Sequence, residues 1–205
     1  VRYLNPVLHV TFPRDTNGVK WANRFTSVNK KREGVLTTTK IHPDSPVDPK
    51  KKANEEYTSE IDWTKVLFAA GPLLIPSVTV SKANLSREQI IAEKTRLRSL
   101  FASLANAETP AVAAEEGEMY SITFTQESAV YEGAYCWADD RIYGVIYSPE
   151  DHFALVQQLR DRGENGVTTI VVPSFVKPEN IHVYSLAITA DGKITSNSVH
   201  MTLGA

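Results

Sequence analysis

The chain has 205 residues, of which 42% are apolar and 22% are charged, a composition typical of a globular domain. This composition excludes disordered, collagen-like and coiled-coil chains. A single cysteine excludes an internal disulfide and a zinc site built from several thiolates. The formal net charge of -2 excludes a uniformly basic nucleic-acid coat protein.

The first region, residues 1–72, contains strand-like patterns and much of the positive charge. The sequence predicts a first strand from Leu4 to Phe12 and a second strand from Val35 to Ile41. Trp21 and Phe25 are four residues apart, as on one face of a helix. We interpret these two aromatic residues as core residues, with base stacking in a nucleic-acid site as the alternative.

A strip of excess positive charge lies within this region. From Arg14 to Lys52 there are ten Lys or Arg residues and four Asp or Glu residues. The candidate interaction surface consists of two cationic runs in this strip: Lys30, Lys31, Arg32, Lys50, Lys51 and Lys52. Pro and Asp residues flank the second run, which is typical of an exposed loop. From Met119 onwards the chain has ten acidic and five basic residues. The basic strip and this acidic carboxyl-terminal part therefore have complementary charge.

The second region, residues 73–118, is predicted to contain a connecting strand, one amphipathic helix and a linker that we expect to be mobile. Ser86 and Gln89 have the spacing of a capping box, which marks the start of a helix. We therefore predict a helix from about Ser86 to Ala107. Its apolar face is formed by Ile90, Leu97, Phe101 and Leu104.

The third region, residues 119–205, reads as short strands separated by turns. The predicted strands are Tyr120–Thr125, Val130–Trp137, Ile142–Tyr147, Val167–Val172, Ile181–Ile188 and Ile194–Leu203. Asp191-Gly192 between the last two predicts a hairpin with a type I′ turn. We predict an antiparallel sandwich of the immunoglobulin or fibronectin kind. Its core is expected to contain Tyr120, Ile122, Phe124, Trp137, Ile170, Val172, Leu186 and Ile188. The expected fold class is therefore mainly β.

Three short motifs resemble an uncharacterised family of Bacteroidota proteins of about 200 residues, which implies a Bacteroidota or phage context. The motifs are the run from Ile61 to Phe68 with Gly71-Pro72-Leu73, the strand Val145–Pro149, and the last hairpin from His182 to Val199. The resemblance covers about a third of the chain. It implies an immunoglobulin-like carboxyl-terminal half and no catalytic residues that could be carried over.

The residues with reactive side chains do not form a recognisable catalytic motif. The sequence has no phosphate-binding glycine loop and no nucleophile elbow. We interpret Cys136 as a small buried residue on a strand, and Asp139-Asp140 as a turn before the next strand. His182 and His200 lie on the last two predicted strands, so they could face each other and bind a metal together with a carboxylate such as Asp139. We weigh this against two histidines on a wet sheet face and predict no metal, no cofactor and no enzyme.

The sequence therefore predicts a non-enzymatic structural or interaction protein. With the resemblance, the leading hypothesis is a component of a phage particle or other large assembly of Bacteroidota, with other protein subunits or further copies of the chain as partners. The alternative is a bacterial adaptor that binds nucleic acid or another anionic partner through the 14–52 strip. No apolar run is long enough to span a membrane and the first residues do not resemble a secretion signal, so we expect a location in the virion or the cytoplasm.

Overall fold

The computed structural model describes residues 4–12, 21–40, 57–104 and 119–203. Its helices are α1 (Asn5–Thr11), α2 (Trp21–Lys30) and α3 (Arg87–Leu104), and short 3-10 turns lie at Trp63–Lys65 and Pro178–Asn180. Its strands are β1 (Leu36–Lys40), β2 (Tyr57–Ile61), β3 (Ser77–Asn84), β4 (Tyr120–Glu127), β5 (Arg141–Ser148), β6 (Phe153–Asp161), β7 (Gly166–Val172), β8 (His182–Ile188) and β9 (Val199–Met201). None of the helices in these ranges is long and apolar enough to cross a membrane.

The strands form three antiparallel sheets, which confirms the prediction of a mainly β protein. β1 and β2 pair as a two-stranded ribbon. The other two sheets have the orders β3-β4-β7 and β6-β5-β8-β9. β3 pairs with β4 over eight positions, from Ser77 opposite Glu127 to Asn84 opposite Tyr120. The three-stranded sheet therefore takes its edge strand from the chain before α3.

The three-stranded and four-stranded sheets share an apolar core. Alternate residues of β4 point into it, because successive side chains of a strand lie on opposite faces. Tyr120, Ile122 and Phe124 are buried there against residues of the opposite sheet such as Ile146 and Val183. Gly144 leaves room for the ring of Phe124, since a Cβ at this position would lie 2.7 Å from two ring carbons. The predicted register of β4 is thus confirmed.

A second core lies on the other face of the four-stranded sheet. Side chains of β5 and β8 such as Val145, Tyr184 and Leu186 pack there against α1, α2 and the segment around Phe68. The arrangement has three layers, with the four-stranded sheet in the middle. Phe25 packs against this core, in agreement with its assignment to an apolar helix face.

The predicted first strand is wrong, because Asn5–Thr11 is a helix. Pro6 lies in the first helical turn, where its fixed φ and missing N–H are tolerated. Leu4, Leu8 and Phe12 recur at four-residue spacing and are all buried, so they form one helix face. Seven residues contain too few periods for the sequence to separate this pattern from a strand.

Other boundaries in the carboxyl-terminal half also differ from the prediction. Val130–Trp137 is a loop rather than a strand, and Phe153–Asp161 is a strand that the sequence did not predict. The last strand spans only Val199–Met201, with isolated bridges from Thr195 to Ile188 and from Ser196 to Leu73. The turn before it has positive φ at Gly192 (76°) and not at Asp191, so it is not a type I′ turn. The loop that follows β8 is instead longer, and hydrogen bonds from Gly192 N to Thr189 O and from Thr189 N to Ile194 O close it.

Helix α3 begins at the predicted capping box. The Ser86 N–H donates to Gln89 Oε1 and the Gln89 N–H donates to Ser86 Oγ, which satisfies two backbone donors at the helix start. Ile90 is half-buried, whereas Ile91 is exposed. The side chains of Leu97, Phe101 and Leu104, and the predicted linker after the helix, lie outside the described residues.

Candidate functional site

The predicted basic surface is described only in its first half. Lys30, Lys31 and Arg32 are exposed at the end of α2 and in the turn that follows, and we call these three residues the basic turn. The Arg32 Nε–H donates to the carbonyl oxygen of Lys65 at 3.1 Å. The second run, Lys50 to Lys52, lies outside the described residues.

A buried asparagine that the sequence analysis missed fixes the position of the basic turn. The Asn29 side chain accepts from the Leu67 N–H at 2.8 Å and donates to the Leu67 carbonyl oxygen at 2.9 Å. It also donates to the Phe25 carbonyl oxygen one helical turn earlier. These contacts join the last turn of α2 to the irregular segment that carries Phe68. The neighbouring cations are therefore held at a defined place on the surface.

The most exposed apolar side chains near the β4–β5 loop form a second surface, which we call the aromatic tip. It comprises Leu74, Ile75, Val130, Tyr131, Tyr135 and Trp137. Tyr131, Tyr135 and Trp137 are 59%, 63% and 46% exposed, and the rings of Tyr135 and Trp137 meet edge to face with centroids 6.2 Å apart. The Leu74 N–H donates to the Tyr135 carbonyl oxygen at 2.9 Å, so Leu74 lies beside this loop. The placement of Trp137 in the core was therefore wrong.

A buried ion pair holds the backbone under the aromatic tip. Arg162 and Asp140 are each 1% exposed, and the Arg162 Nε–H donates to Asp140 Oδ2 at 2.9 Å. The same carboxylate oxygen accepts from the Trp137 N–H at 3.0 Å. Arg162 Nη2 donates to the Leu74 carbonyl oxygen at 2.7 Å, so one guanidinium connects both chain segments of the tip.

Further hydrogen bonds fix the loop itself. The Arg162 N–H donates to Asp140 O at 2.7 Å, and the Gly163 N–H donates to Ala138 O at 2.8 Å. The buried thiol of Cys136 accepts from the Tyr131 N–H and donates to the Tyr131 carbonyl oxygen. Cys136 is buried as predicted, but it lies in a loop rather than on a strand. The tip therefore exposes aromatic side chains on a tightly bonded backbone.

Two sequence signals could have revealed this loop, which the sequence analysis predicted as a strand. Gly133 and Ala134 interrupt the apolar pattern, and Gly133 has a φ of 77°, which a residue in a regular strand does not adopt. Asp139-Asp140 was predicted to form a turn, and the Asp140 N–H does close a turn onto Trp137 O. The burial of Asp140 had no sequence signal, because its partner Arg162 is 22 residues away.

A different aromatic group, which we call the base cluster, lies at the opposite end of the four-stranded sheet. It comprises Trp63, Tyr147, His182, Tyr184 and His200. Trp63 lies 4.7 Å from Tyr147 and 6.2 Å from His182 between ring centroids. The Tyr184 hydroxyl donates to the Trp63 carbonyl oxygen at 2.6 Å. These side chains contact one another; Tyr147 and Tyr184 are buried, and Trp63, His182 and His200 are partly buried.

The two histidines of the base cluster have pKa values below the ordinary value for histidine. Burial disfavours the charged ring of both residues, and His182 is further affected by the charge of His200. The carboxylate of Asp62 acts in the opposite direction on both rings. Their ring centroids are 5.6 Å apart, so the two rings do face each other across β8 and β9.

Asp139, the carboxylate that the sequence offered as a third metal ligand, lies far from His182 and His200. Asp139 precedes β5 at the end of the sheet where Arg141 pairs with Ile188, whereas His182 pairs with Tyr147 at the other end. Strands rise about 3.3 Å per residue, so the part of β5 from Arg141 to Tyr147 separates the two places by about 20 Å. Within the described ranges, no three His, Cys, Asp or Glu side chains come together in a way that could hold a metal ion.

Comparison with known proteins gave no match: no family model, no curated protein and no solved structure is similar to the chain. The resemblance to the Bacteroidota family therefore stays a prediction.

Proposed function

We propose that this chain is a non-enzymatic interaction module that binds another protein subunit through its aromatic tip. The observation that supports this proposal is the exposure of Tyr131, Tyr135 and Trp137 in one loop, with the rings of Tyr135 and Trp137 in contact and the exposed Leu74 hydrogen-bonded to the loop. Contiguous exposed apolar surface is unfavourable in water and is characteristic of interaction sites. Tyr and Trp are also the residues that contribute most to binding energy at protein interfaces.

The rigid backbone beneath the tip supports the same proposal. Binding is weakened when a mobile loop must be ordered, and a loop that is already ordered avoids this entropy loss. Asp140 and Arg162 hold the loop through buried bonds without covering the aromatic rings. Tyr and Trp have few rotatable bonds, so they present a large contact area with a small entropy loss on binding.

We further propose that the two stacked sheets are an immunoglobulin-like or fibronectin-like sandwich. The order β3-β4-β7 corresponds to strands A-B-E of that fold, and β5-β8-β9 corresponds to C-F-G, with β6 beside the C strand. In this correspondence the β4–β5 loop is the B–C loop, which forms part of the binding surface in antibody variable domains. Binding through loops at one end of a rigid sandwich is a use that this architecture supports.

The narrower hypothesis, a component of a phage particle or other large assembly of Bacteroidota, rests on the sequence resemblance. A structural component is expected to co-purify from its source cells in a fixed ratio with its neighbours. We expect the tagged chain to bring down its neighbours in a fixed ratio. We expect the double variant Tyr135→Ala with Trp137→Ala to lose this co-purification. Val167→Ala is the matched control, because Val167 is 57% exposed on the outer face of the three-stranded sheet. A monomer without fixed-ratio partners, or a complex that the tip variant leaves intact, would contradict the proposal.

The second candidate is an adaptor that binds nucleic acid through the basic turn. It is supported by the two adjacent exposed ammonium groups of Lys30 and Lys31. If they contact phosphates, log affinity must fall with log salt concentration by about 0.7 to 0.9 per phosphate. Anisotropy titrations of labelled single-stranded DNA and RNA should then show a slope that Lys30→Ala with Lys31→Ala reduces by about two. Submicromolar affinity at physiological salt that these substitutions abolish would favour the adaptor over the interaction module.

A further inference from the structure

The aromatic tip and the basic turn lie at opposite ends of the four-stranded sheet. Arg32 contacts Lys65, which follows Trp63, and Trp63 contacts His182 at the first residue of β8. The β4–β5 loop instead leads into Arg141, which pairs with Ile188 at the last residue of β8. A single chain therefore displays two different surfaces that point away from each other.

The basic turn and the end of the sheets that carries the aromatic tip have opposite charge. At the tip end, six carboxylates outnumber three cations among the described residues outside the buried ion pair: Glu127, Glu132, Asp139, Asp161, Glu164 and Asp191 against Arg141, Arg160 and Lys193. In residues 30–33 and 62–65, which the Arg32–Lys65 contact brings together, four cations outnumber two carboxylates: Lys30, Lys31, Arg32 and Lys65 against Glu33 and Asp62. Lys65 is already paired with Asp62, so Lys30, Lys31 and Arg32 against Glu33 provide the remaining positive excess.

The chemistry of the tip favours a cationic occupant. The faces of Trp and Tyr rings attract ammonium and guanidinium groups, and this attraction increases when the cation is shielded from water. Glu132 and Asp139 are exposed within the same loop as the rings, so a cation seated on Tyr135 or Trp137 would also meet carboxylates. Complementary charge of this kind accelerates association and fixes the orientation of the partner.

We propose that the occupant of the aromatic tip is the basic turn of a second copy of this chain. This inference rests on the proposed function and names the partner of the same site. Because the two complementary surfaces lie at opposite ends, the contact is heterologous: each copy uses its tip on one neighbour and its basic turn on another. Such contacts join copies head to tail and produce rings or filaments rather than two-fold dimers.

The expected affinity is modest. A stable protein interface buries about 800 Å² on each partner, and six exposed apolar side chains with a few charges form a smaller contact. Self-association is therefore expected in the micromolar concentration range and is expected to weaken with added salt, because exposed charges are screened. In an assembly with many copies, each copy would make two such contacts.

The test uses two variants that each remove one half of the contact. The tip variant combines Trp137→Ala with Asp139→Lys, and the base variant combines Lys30→Glu with Lys31→Glu. Sedimentation velocity of the wild type should show mass increasing with concentration and decreasing with salt. Each variant alone should remain monomeric, and circular dichroism should confirm that both are folded. Val167→Ala, the exposed control on the sheet face, should behave like the wild type.

Mixing the two variants then distinguishes a contact between tip and basic turn from any other mode of self-association. The tip variant retains a basic turn and the base variant retains a tip, so the mixture should form one-to-one dimers and nothing larger. A monomeric wild type at all concentrations, self-association by either variant alone, or a mixture that forms no dimer would overturn the head-to-tail proposal. Fixed-ratio co-purification with a different protein that depends on Trp137 would still support the interaction module, so the two proposals can fail separately.

Discussion

The aromatic tip and the base cluster contain similar residues but use them in opposite ways. In the base cluster, Trp63, Tyr147 and Tyr184 pack against one another and bury most of their ring surface. At the tip, polar groups are buried and the aromatic rings are left in solvent, with Asp140 and Arg162 replacing an apolar core beneath Trp137. At one end of the sheet, aromatic side chains stabilise the structure by packing together. At the other end, a buried ion pair stabilises the backbone, and the aromatic side chains stay exposed to solvent.

This difference explains why aromatic content alone did not reveal the surface. A ring is buried when the backbone behind it follows a strand whose face meets another layer, as in β8. A ring is exposed when the backbone leaves the sheet and its polar groups are satisfied by other means. The tip meets this second condition because one guanidinium and one carboxylate satisfy several backbone groups of the loop.

The largest expected effect is at the ion pair under the tip. Asp140→Ala leaves the Arg162 charge buried without its partner, and removing one member of a buried pair typically destabilises a protein by about 3 to 5 kcal/mol. Urea unfolding measures the loss in the free energy of unfolding. Asp139→Ala, at the exposed neighbouring position, is the matched control and should change it by about 0.5 kcal/mol or less. Equal effects from the two variants would show that the loop does not depend on the pair.

A smaller effect is expected at the hydroxyl that closes the base cluster. Tyr184→Phe removes the hydrogen bond to the Trp63 carbonyl oxygen and should lower the free energy of unfolding by about 1 kcal/mol. Tyr143→Phe is the control, since that hydroxyl donates over 3.4 Å to the exposed Gln158. The same unfolding experiment should find the control within about 0.5 kcal/mol of the wild type. If Tyr184→Phe and Tyr143→Phe had the same free energy of unfolding, ring contacts without this hydrogen bond would be sufficient to stabilise the base cluster.

Acid is expected to weaken the base cluster before it affects the rest of the protein. The pKa values of His182 and His200 are lowered in the folded state by burial, so the unfolded chain, with a histidine pKa of about 6.5, binds protons more readily. The free energy of unfolding should therefore fall as the pH decreases from about 7 towards 5. Urea unfolding across this range should show a flatter dependence in His182→Gln with His200→Gln. If the double variant showed the same pH dependence of the free energy of unfolding as the wild type, other titratable groups would be responsible for that dependence.

The smallest expected effect on stability is at the tip itself. Trp137 is 46% exposed, so Trp137→Ala should change the free energy of unfolding by about 0.5 kcal/mol or less. The measurement is thermal or urea unfolding under conditions in which the chain is monomeric. A loss comparable with that of Asp140→Ala would place the ring in the core, and the tip would then no longer differ from the base cluster.

Much of the fold followed from local patterns. The alternation in β4 fixed which residues are buried, and Ser86 with Gln89 fixed the start of α3. The buried cysteine was also predicted, and the sequence left open whether the two histidines face each other, which they do. The short segments were harder: seven residues around Leu8 fitted both a helix and a strand, and the β4–β5 loop fitted a strand because it is rich in aromatic residues.

The sequence by itself determined the β-rich character, because a two-residue period of apolar side chains is a local property that requires one buried face. It also determined the separation of charge along the chain. Only the tertiary structure decided where those charges and rings lie. Arg162 reaches Asp140 and Leu74 across 22 and 88 positions of sequence, and contacts this remote depend on how the sheets stack. Because this buried pair keeps Trp137 at the surface, the candidate site became visible only in three dimensions.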